Sequence, residues 1–355
     1  MSAPFKLAGK ARTRTSRNWL GFVLSVTIVG ISAFVLTNIL KDVDFSHVAA
    51  HVYAMPASQI GWAVLFIAGA YATLTCYDFF AVRTIGASHV PYHIAALASF
   101  TSYTIGHNIG ATAFSGGAIR YRVYSQLGLG VIDVAKICFL TGLTFWLGNL
   151  AVLGSGMAYQ PEVAARIFQV PAEAMRAVGI TGLLLLCGYL AWASRRRRTI
   201  GFSNWTISLP SGRSTLIQIG IGLADLGCSS LAMYNLLPPS VQGEPVTIMI
   251  AFVSATLLGF ASHAPGSLGV FEAAMLVALP EVPKEELLAA IVVFRMVYFY
   301  TPFCLALLTM ACWESVLFVQ RSRAAPGNGN GATALPEMQI SDQPPYIRTK
   351  KEGKP

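Results

Sequence analysis

Residues 60–82 read IGWAVLFIAGAYATLTCYDFFAV, an apolar run interrupted by one charge, Asp78. A bilayer hydrocarbon core about 30 Å thick is crossed by roughly 20 mainly apolar residues in a helix, so this stretch is long enough to span it. In lipid no backbone amide finds water, and a single run of this kind satisfies its own amides only as a helix. Comparable runs occupy 19–40, 132–155, 177–193, 216–237 and 289–320. The chain is 54% hydrophobic and only 12% charged, with a mean hydropathy of +0.58. A soluble chain is about one quarter charged. The six runs therefore predict an all-α integral membrane protein with about six full transmembrane helices, and exclude a soluble enzyme.

Two further runs, near 95–110 and 246–262, are shorter or interrupted. Basic residues decide how they are threaded, because loops on the cytoplasmic side carry an excess of Lys and Arg. The amino terminus (Lys6, Lys10, Arg12, Arg14, Arg17), Arg83, the run at 195–198 and the carboxyl end (Arg321, Arg323, Lys350, Lys351, Lys354) are all basic. Placing all of them inside is self-consistent. It puts both termini in the cytoplasm. It also leaves residues 91–130 starting and finishing inside, and 242–286 starting and finishing outside. Both segments are predicted re-entrant hairpins. The first long run has a basic flank like a signal peptide, but it is long and no cleavage site of small residues follows it, so it reads as an uncleaved helix. Residues 1–18 form a basic cytoplasmic terminus. The polar segment 321–355 reads as a disordered cytoplasmic tail, since it lacks apolar periodicity.

The two hairpins resemble one another at a fixed offset. FTSYTIGHNIGATAFSGGAIRY from Phe100 aligns without gaps on FVSATLLGFASHAPGSLGVFEA from Phe252, pairing Phe100 with Phe252, Gly117 with Gly269 and Arg120 with Glu272. Because the charge rule sets these hairpins on opposite sides, the two halves, about 19–155 and 177–320, read as an inverted repeat. Secondary transporters are often built this way, with substrate sites near the midplane where interrupted helices of the two halves meet.

A charge at the bilayer centre costs about 2.5–3.5 kcal/mol, so ionisable residues within the runs are functional candidates. They are Asp78, Arg120, Asp225, Glu272 and Arg295. Arg120 follows Ser115-Gly116-Gly117, read as a Gly-rich turn. Glu272 follows a second turn containing Pro265, Gly266 and Gly269. Glycine permits tight turns and close approach of a ligand. An arginine fork suits a phosphate, and a carboxylate suits a cationic group. This reading has Asp78, Arg120, Asp225, Glu272, Ser115, Gly116, Gly117, Pro265, Gly266 and Gly269 lining a midplane headgroup cavity. The competing reading is structural: Arg120, Tyr121 and Arg122 mark the cytoplasmic interface, and the acids and Arg295 form ion pairs that lock the bundle. His107 and His263 lie in the hairpins and read as interior histidines bonded to backbone, with proton coupling as the alternative.

Other classes fall away. The six cysteines all lie in apolar runs without a C-x-x-C pair, which argues against disulfide or zinc frameworks. The net charge of +9 sits at helix ends and tails, where it meets lipid headgroups rather than nucleic acid. No P-loop, G-x-S-x-G, H-E-x-x-H or dinucleotide signature occurs in a fitting context, so no cofactor and no metal is expected.

SGGAIRYRVY (115–124) and HAPGSLGVFE (263–272) resemble motifs of the transmembrane flippase region of bacterial lysylphosphatidylglycerol synthase/flippases, the MprF type, and of stand-alone YbhN-like membrane proteins. The likeness covers about residues 15–320, with Ser267 departing from the commoner P-G-G-L-G form. It implies movement of aminoacylated phosphatidylglycerol or a related lipid between leaflets, resistance to cationic antimicrobial peptides, and roles for Asp78 and Arg120. The synthase domain of the full-length relatives has no counterpart here, so synthase activity is not expected. Expected partners are phospholipid headgroups, with a separate lipid-modifying synthase and a second copy of the chain as further candidates. The alternatives are a carrier of another amphipathic or polyprenyl-linked substrate, or an accessory protein that assists a synthase and moves nothing.

Overall fold

The computed structural model describes residues 43–109, 112–195, 199–202, 205–239 and 243–324, with 30, 34, 37, 40 and 41. The basic terminus, most of the run at 19–40, the arginines at 196–198 and the tail beyond 324 lie outside the described residues. Two compact units are present, Met1–Ala311 and Cys312–Pro355. In the second, the described residues are helical to Ala324, so the expected tail begins with helix at 321–324.

The first unit is a helical bundle, and the chain is an all-α integral membrane protein. Its elements are α1 (Phe45–Ala54), α2 (Ala57–Thr84), α3 (Tyr92–Ile109), α4 (Thr112–Tyr124), α5 (Val131–Tyr159), α6 (Pro161–Phe168), α7 (Ala172–Arg195), α8 (Gly212–Leu236), α9 (Pro245–Ser262), α10 (Val270–Ala278), α11 (Lys284–Arg295) and the start of α12 (Thr301–Ala324). A two-stranded antiparallel ribbon, β1 (Thr199–Phe202) and β2 (Trp205–Ser208), links α7 to α8. A π-helical segment, Met296–Tyr300, joins α11 to α12.

Six described helices are long and apolar enough to cross a membrane: Ala57–Thr84, Val131–Tyr159, Ala172–Arg195, Gly212–Leu236, Pro245–Ser262 and Lys284–Val316. Five coincide with runs expected to span. The sixth, α9, is the arm read from sequence as short; it is an unbroken helix of 18 residues. Polarity is arranged for lipid. Trp62, Leu65, Leu184 and Leu185 point outward, whereas Ser99, Thr104, Gln218 and Ser254 are buried.

Helix α5 serves as a ruler for the bundle. Its 29 residues reach about 43 Å at about 1.5 Å per residue. At its start, the His89 ring bonds the Leu127 carbonyl at 3.1 Å, so hairpin α3–α4 ends where it began. At its other end, the Gln160 amide donates to Glu244 at 2.7 Å and Thr247 donates to Gln160 at 2.7 Å. One turn of chain further, Arg166 pairs with Glu281 at 2.9 Å and donates to the Ala278 carbonyl at 3.3 Å. Hairpin α9–α10 thus returns to the opposite end of α5. The tips meet halfway along: Phe260 of α9 lies 5.4 Å from Phe145, the middle residue of α5, and 5.1 Å from His107 of α3, measured between ring centroids. The two hairpins enter from opposite ends and touch at mid-depth.

Close packing rests on a few glycines. At the crossing of α5 and α8, a Cβ on Gly148 would lie 2.7 Å from the Gly222 Cα, so both positions need the bare backbone. Small residues of this kind let helices approach in lipid, where the hydrophobic effect between helices is absent.

Candidate functional site

Asp78 and Arg120 come together, although they are 42 positions apart. Arg120 lies on α4 and Asp78 on α2. Arg120 Nη2 donates to Asp78 Oδ1 at 2.8 Å, and Nε donates to Oδ2 at 2.9 Å. This is the two-pronged geometry that suits guanidinium and carboxylate. Tyr124, one turn after Arg120, donates its hydroxyl to Asp78 Oδ2 at 2.9 Å. The Arg120 guanidinium sits over the Tyr103 ring at 4.9 Å. Asp78 is fully enclosed and Arg120 is 6% exposed.

Ser115, Gly116 and Gly117 do not form the expected turn. They lie inside α4, which is helical from Thr112. Their physical role is a close crossing rather than a bend. A Cβ on Gly116 would meet the Ser102 carbonyl at 3.2 Å and Arg120 Nη1 at 3.5 Å. Gly116 thus seats α4 closely on α3, beside the guanidinium.

In the second half the charge at the tip, Glu272, does not face Arg120. It pairs with Arg295 of α11 through Nε, and accepts the Gly269 amide at 2.7 Å. Arg295 reaches on into the tip, donating to the Gly266 carbonyl at 2.8 Å and the Ser267 carbonyl at 3.4 Å. It is 6% exposed and lies 5.4 Å from the Phe299 ring. The tip itself is tightly coiled, with φ of 55° at His263, 59° at Gly266, 54° at Ser267 and 79° at Gly269. Gly266 and Ser267 are buried while Pro265 and Leu268 are exposed. Helix α3 packs against the turn Pro265–Ser267, so the tip of the second hairpin lies against the first arm of the other.

Asp225, on α8, joins neither pair. Its Oδ2 accepts the Tyr77 hydroxyl at 3.1 Å, its Oδ1 has no hydrogen-bond partner, and it is 5% exposed. Each half therefore has an acid neutralised by an arginine at its hairpin, and Asp225 stands between the halves without a basic partner among the described residues. His107 is half-buried between the Tyr103 and Phe260 rings, and His263 is exposed, with Nδ1 3.0 Å from the Ala261 carbonyl.

Sequence reasoning missed the tyrosines. Tyr77, Tyr103 and Tyr124 tie the charges together, whereas Tyr121, noticed beside Arg120, points outward. The spacing of Arg120 and Tyr124, one turn apart on a helix, was the available signal. Tyr71 donates to the Tyr298 carbonyl at 2.8 Å, and Asn108 to the Phe299 carbonyl at 3.4 Å. Both acceptors lie in the π-helical segment, where widened turns expose carbonyls and where functional sites are frequent.

No family model matches the chain. Over 307 residues, 84% of its length, it is 27% identical to "Uncharacterized protein slr0712" of Synechocystis sp., covering 95% of that protein. Over the same length it is 26% identical to "Inner membrane protein YbhN" of Escherichia coli, covering 91% of it.

Proposed function

We propose that this membrane protein, similar to YbhN, is a lipid transporter of the bacterial inner membrane. In this reading it moves aminoacylated phosphatidylglycerol or a related phospholipid between leaflets, with both termini in the cytoplasm. The observation that carries the reading is the meeting of two hairpins at mid-depth, entering from opposite ends, the first with Arg120 on its second helix and the second with Arg295 bound to its tip carbonyls. Such an arrangement is how inverted-repeat carriers build a site reachable from either side in turn.

The chemistry follows from the pairs. A phosphodiester has the same charge and the same two-oxygen geometry as the Asp78 carboxylate, so it can replace Asp78 on the Arg120 fork without leaving the cation bare. The cationic end of an aminoacyl headgroup then faces Asp225, the acid without an arginine partner among the described residues. Acyl chains stay in the surrounding lipid, against the exposed apolar faces of the bundle.

The test is outer-leaflet exposure of labelled lysylphosphatidylglycerol in liposomes containing the purified protein. Arg120→Lys keeps the charge but loses the planar fork, and is expected to slow transport at least tenfold while the protein stays folded. Glu272→Gln is expected to do the same by releasing the second tip. Wild-type protein that moves neither this lipid nor other phospholipids would redirect the reading to a polyprenyl-linked substrate or to an accessory role beside a synthase.

A further inference from the structure

Among the described residues, Asp78, Asp225 and Glu272 are the acids set beside the two hairpins, and two of them have an arginine. The third, Asp225, is 5% exposed, has one hydroxyl donor on Oδ2 and nothing on Oδ1. An ionised carboxylate left this way in a membrane interior is costly, since neither water nor a countercharge compensates it. One proton removes the charge and turns the orphaned oxygen into a hydroxyl.

The neighbours leave that role to a proton. From α2, Tyr71 and Tyr77 face Asp225; from α3, Tyr103; from the π-helical segment, Tyr298; on α8 itself, Cys228. All five are neutral groups at ordinary pH. Helix α9 has no titratable residue between Pro245 and Ser262. On α5, Cys138 faces Arg120, and on α7, Tyr189 faces Thr215. Arg295 of α11 is committed to Glu272 and to the tip carbonyls.

We propose that Asp225 is an exchangeable proton site that couples transport to the proton gradient. It carries a proton in the closed arrangement described above and gives it up when the site opens to water or receives a cationic headgroup. The second part rests on the lipid-transport reading; the first does not. A physical path links the site to Arg120. Tyr77, which donates to Asp225, is covalently next to Asp78, and its ring packs edge-on against Tyr103 at 5.9 Å, beneath the Arg120 guanidinium. Loss or gain of the proton therefore reorients a side chain that touches the ring under Arg120.

Infrared spectroscopy of the purified full-length protein tests the proton without any substrate. The wild type is expected to show, at neutral pH, the carbonyl stretch of a protonated carboxylic acid in an apolar setting. The band should move with isotope-labelled aspartate, disappear in Asp225→Asn, and persist in Glu281→Gln, an exposed control. Tyr77→Phe, which removes the hydrogen bond and little else, should shift its frequency, which localises the band even if Asp225→Asn folds poorly. Absence of the band, or its survival in Asp225→Asn, overturns the proposal, as does its loss on adding sodium at constant pH, which would make the site a metal-cation site. In lipid-loaded vesicles an imposed pH gradient should change the wild-type rate several-fold and leave Asp225→Asn unresponsive. A protein that moves no lipid but keeps the band loses the transport reading and retains the proton site.

Discussion

At the scale of single residues, the Asp78–Arg120 pair shows how enclosure converts a modest contact into a strong constraint. Removing one partner leaves an uncompensated charge in a site where Asp78 has no exposure, at a cost of about 3–5 kcal/mol. Asp78→Asn is thus expected to lower the thermal midpoint of the detergent-solubilised protein markedly, and Asp78→Asn combined with Arg120→Gln to recover much of the loss. Equal damage in single and double variants would show that the pair is not the source. Ser267 is the opposite case. It holds φ at 54°, a left-handed conformation that costs a side-chain-bearing residue about 1–2 kcal/mol, part of which the extra unfolded-state freedom of glycine takes back. Ser267→Gly should raise stability by about 0.5–1 kcal/mol, read as an upward shift of the unfolding midpoint; a downward shift would mean that the contact of the Ser267 side chain with the Gly259 backbone outweighs the strain.

At the scale of elements, the helix crossings depend on missing side chains. Gly148→Ala places a methyl group 2.7 Å from the Gly222 Cα, so α5 and α8 must move apart. Overpacking of this kind costs about 1–3 kcal/mol, and Gly222→Ala should cost a similar amount. Because one displacement relieves both clashes, the double variant should lose less than the sum of the two; strict additivity in unfolding measurements would argue against a shared contact. The two hairpins are held differently from each other. On the first, the arginine belongs to the short second helix and the acid to a long neighbour; on the second, the polarity is reversed, with Glu272 on the short helix and Arg295 outside it. The sequence register that pairs Arg120 with Glu272 describes this reversal, and each charge takes its partner from its own half.

At the scale of the whole molecule, the orientation read from basic residues makes a direct prediction. Ser88 and Glu281, both exposed, sit at opposite ends of α5. In a cysteine-free background Ser88→Cys should react with a membrane-impermeant thiol reagent from the cytoplasmic side and Glu281→Cys from the outer side; labelling from one side alone would undo the inverted arrangement. Long apolar runs were legible because hydropathy over twenty positions needs no knowledge of neighbours. The return of both hairpins was legible because charge at loop ends is a local property. That Arg295 pairs with an acid was one of the two readings of the sequence, but which acid it takes was not legible, since Glu272 on α10 and Arg295 on α11 meet only through the path of the chain at 279–283. Nor was the helical state of Ser115-Gly116-Gly117, where local glycine preference yields to packing of α4 on α3. The tyrosines were hidden for the same reason: an aromatic ring in an apolar run has no signature until its hydroxyl finds an acid.

The hydrogen bond from Asn108 to the Phe299 carbonyl closes a separation of 191 residues, and that from Tyr71 to Tyr298 one of 227. A ribosome adding about 5–20 residues per second needs on the order of 10–40 s to make the stretch between Asn108 and Phe299. For most of that interval the first hairpin is already synthesised while the π-helical carbonyls are still to come. Until the final helices arrive, the Asn108 amide has the Thr104 carbonyl of its own helix at 2.8 Å, so the tip waits with one bond already in place. A first half released alone into the bilayer would keep that local bond but lack the acceptor of the Tyr71 hydroxyl and the surface of the π-helical segment, and would be a natural substrate for quality-control proteases.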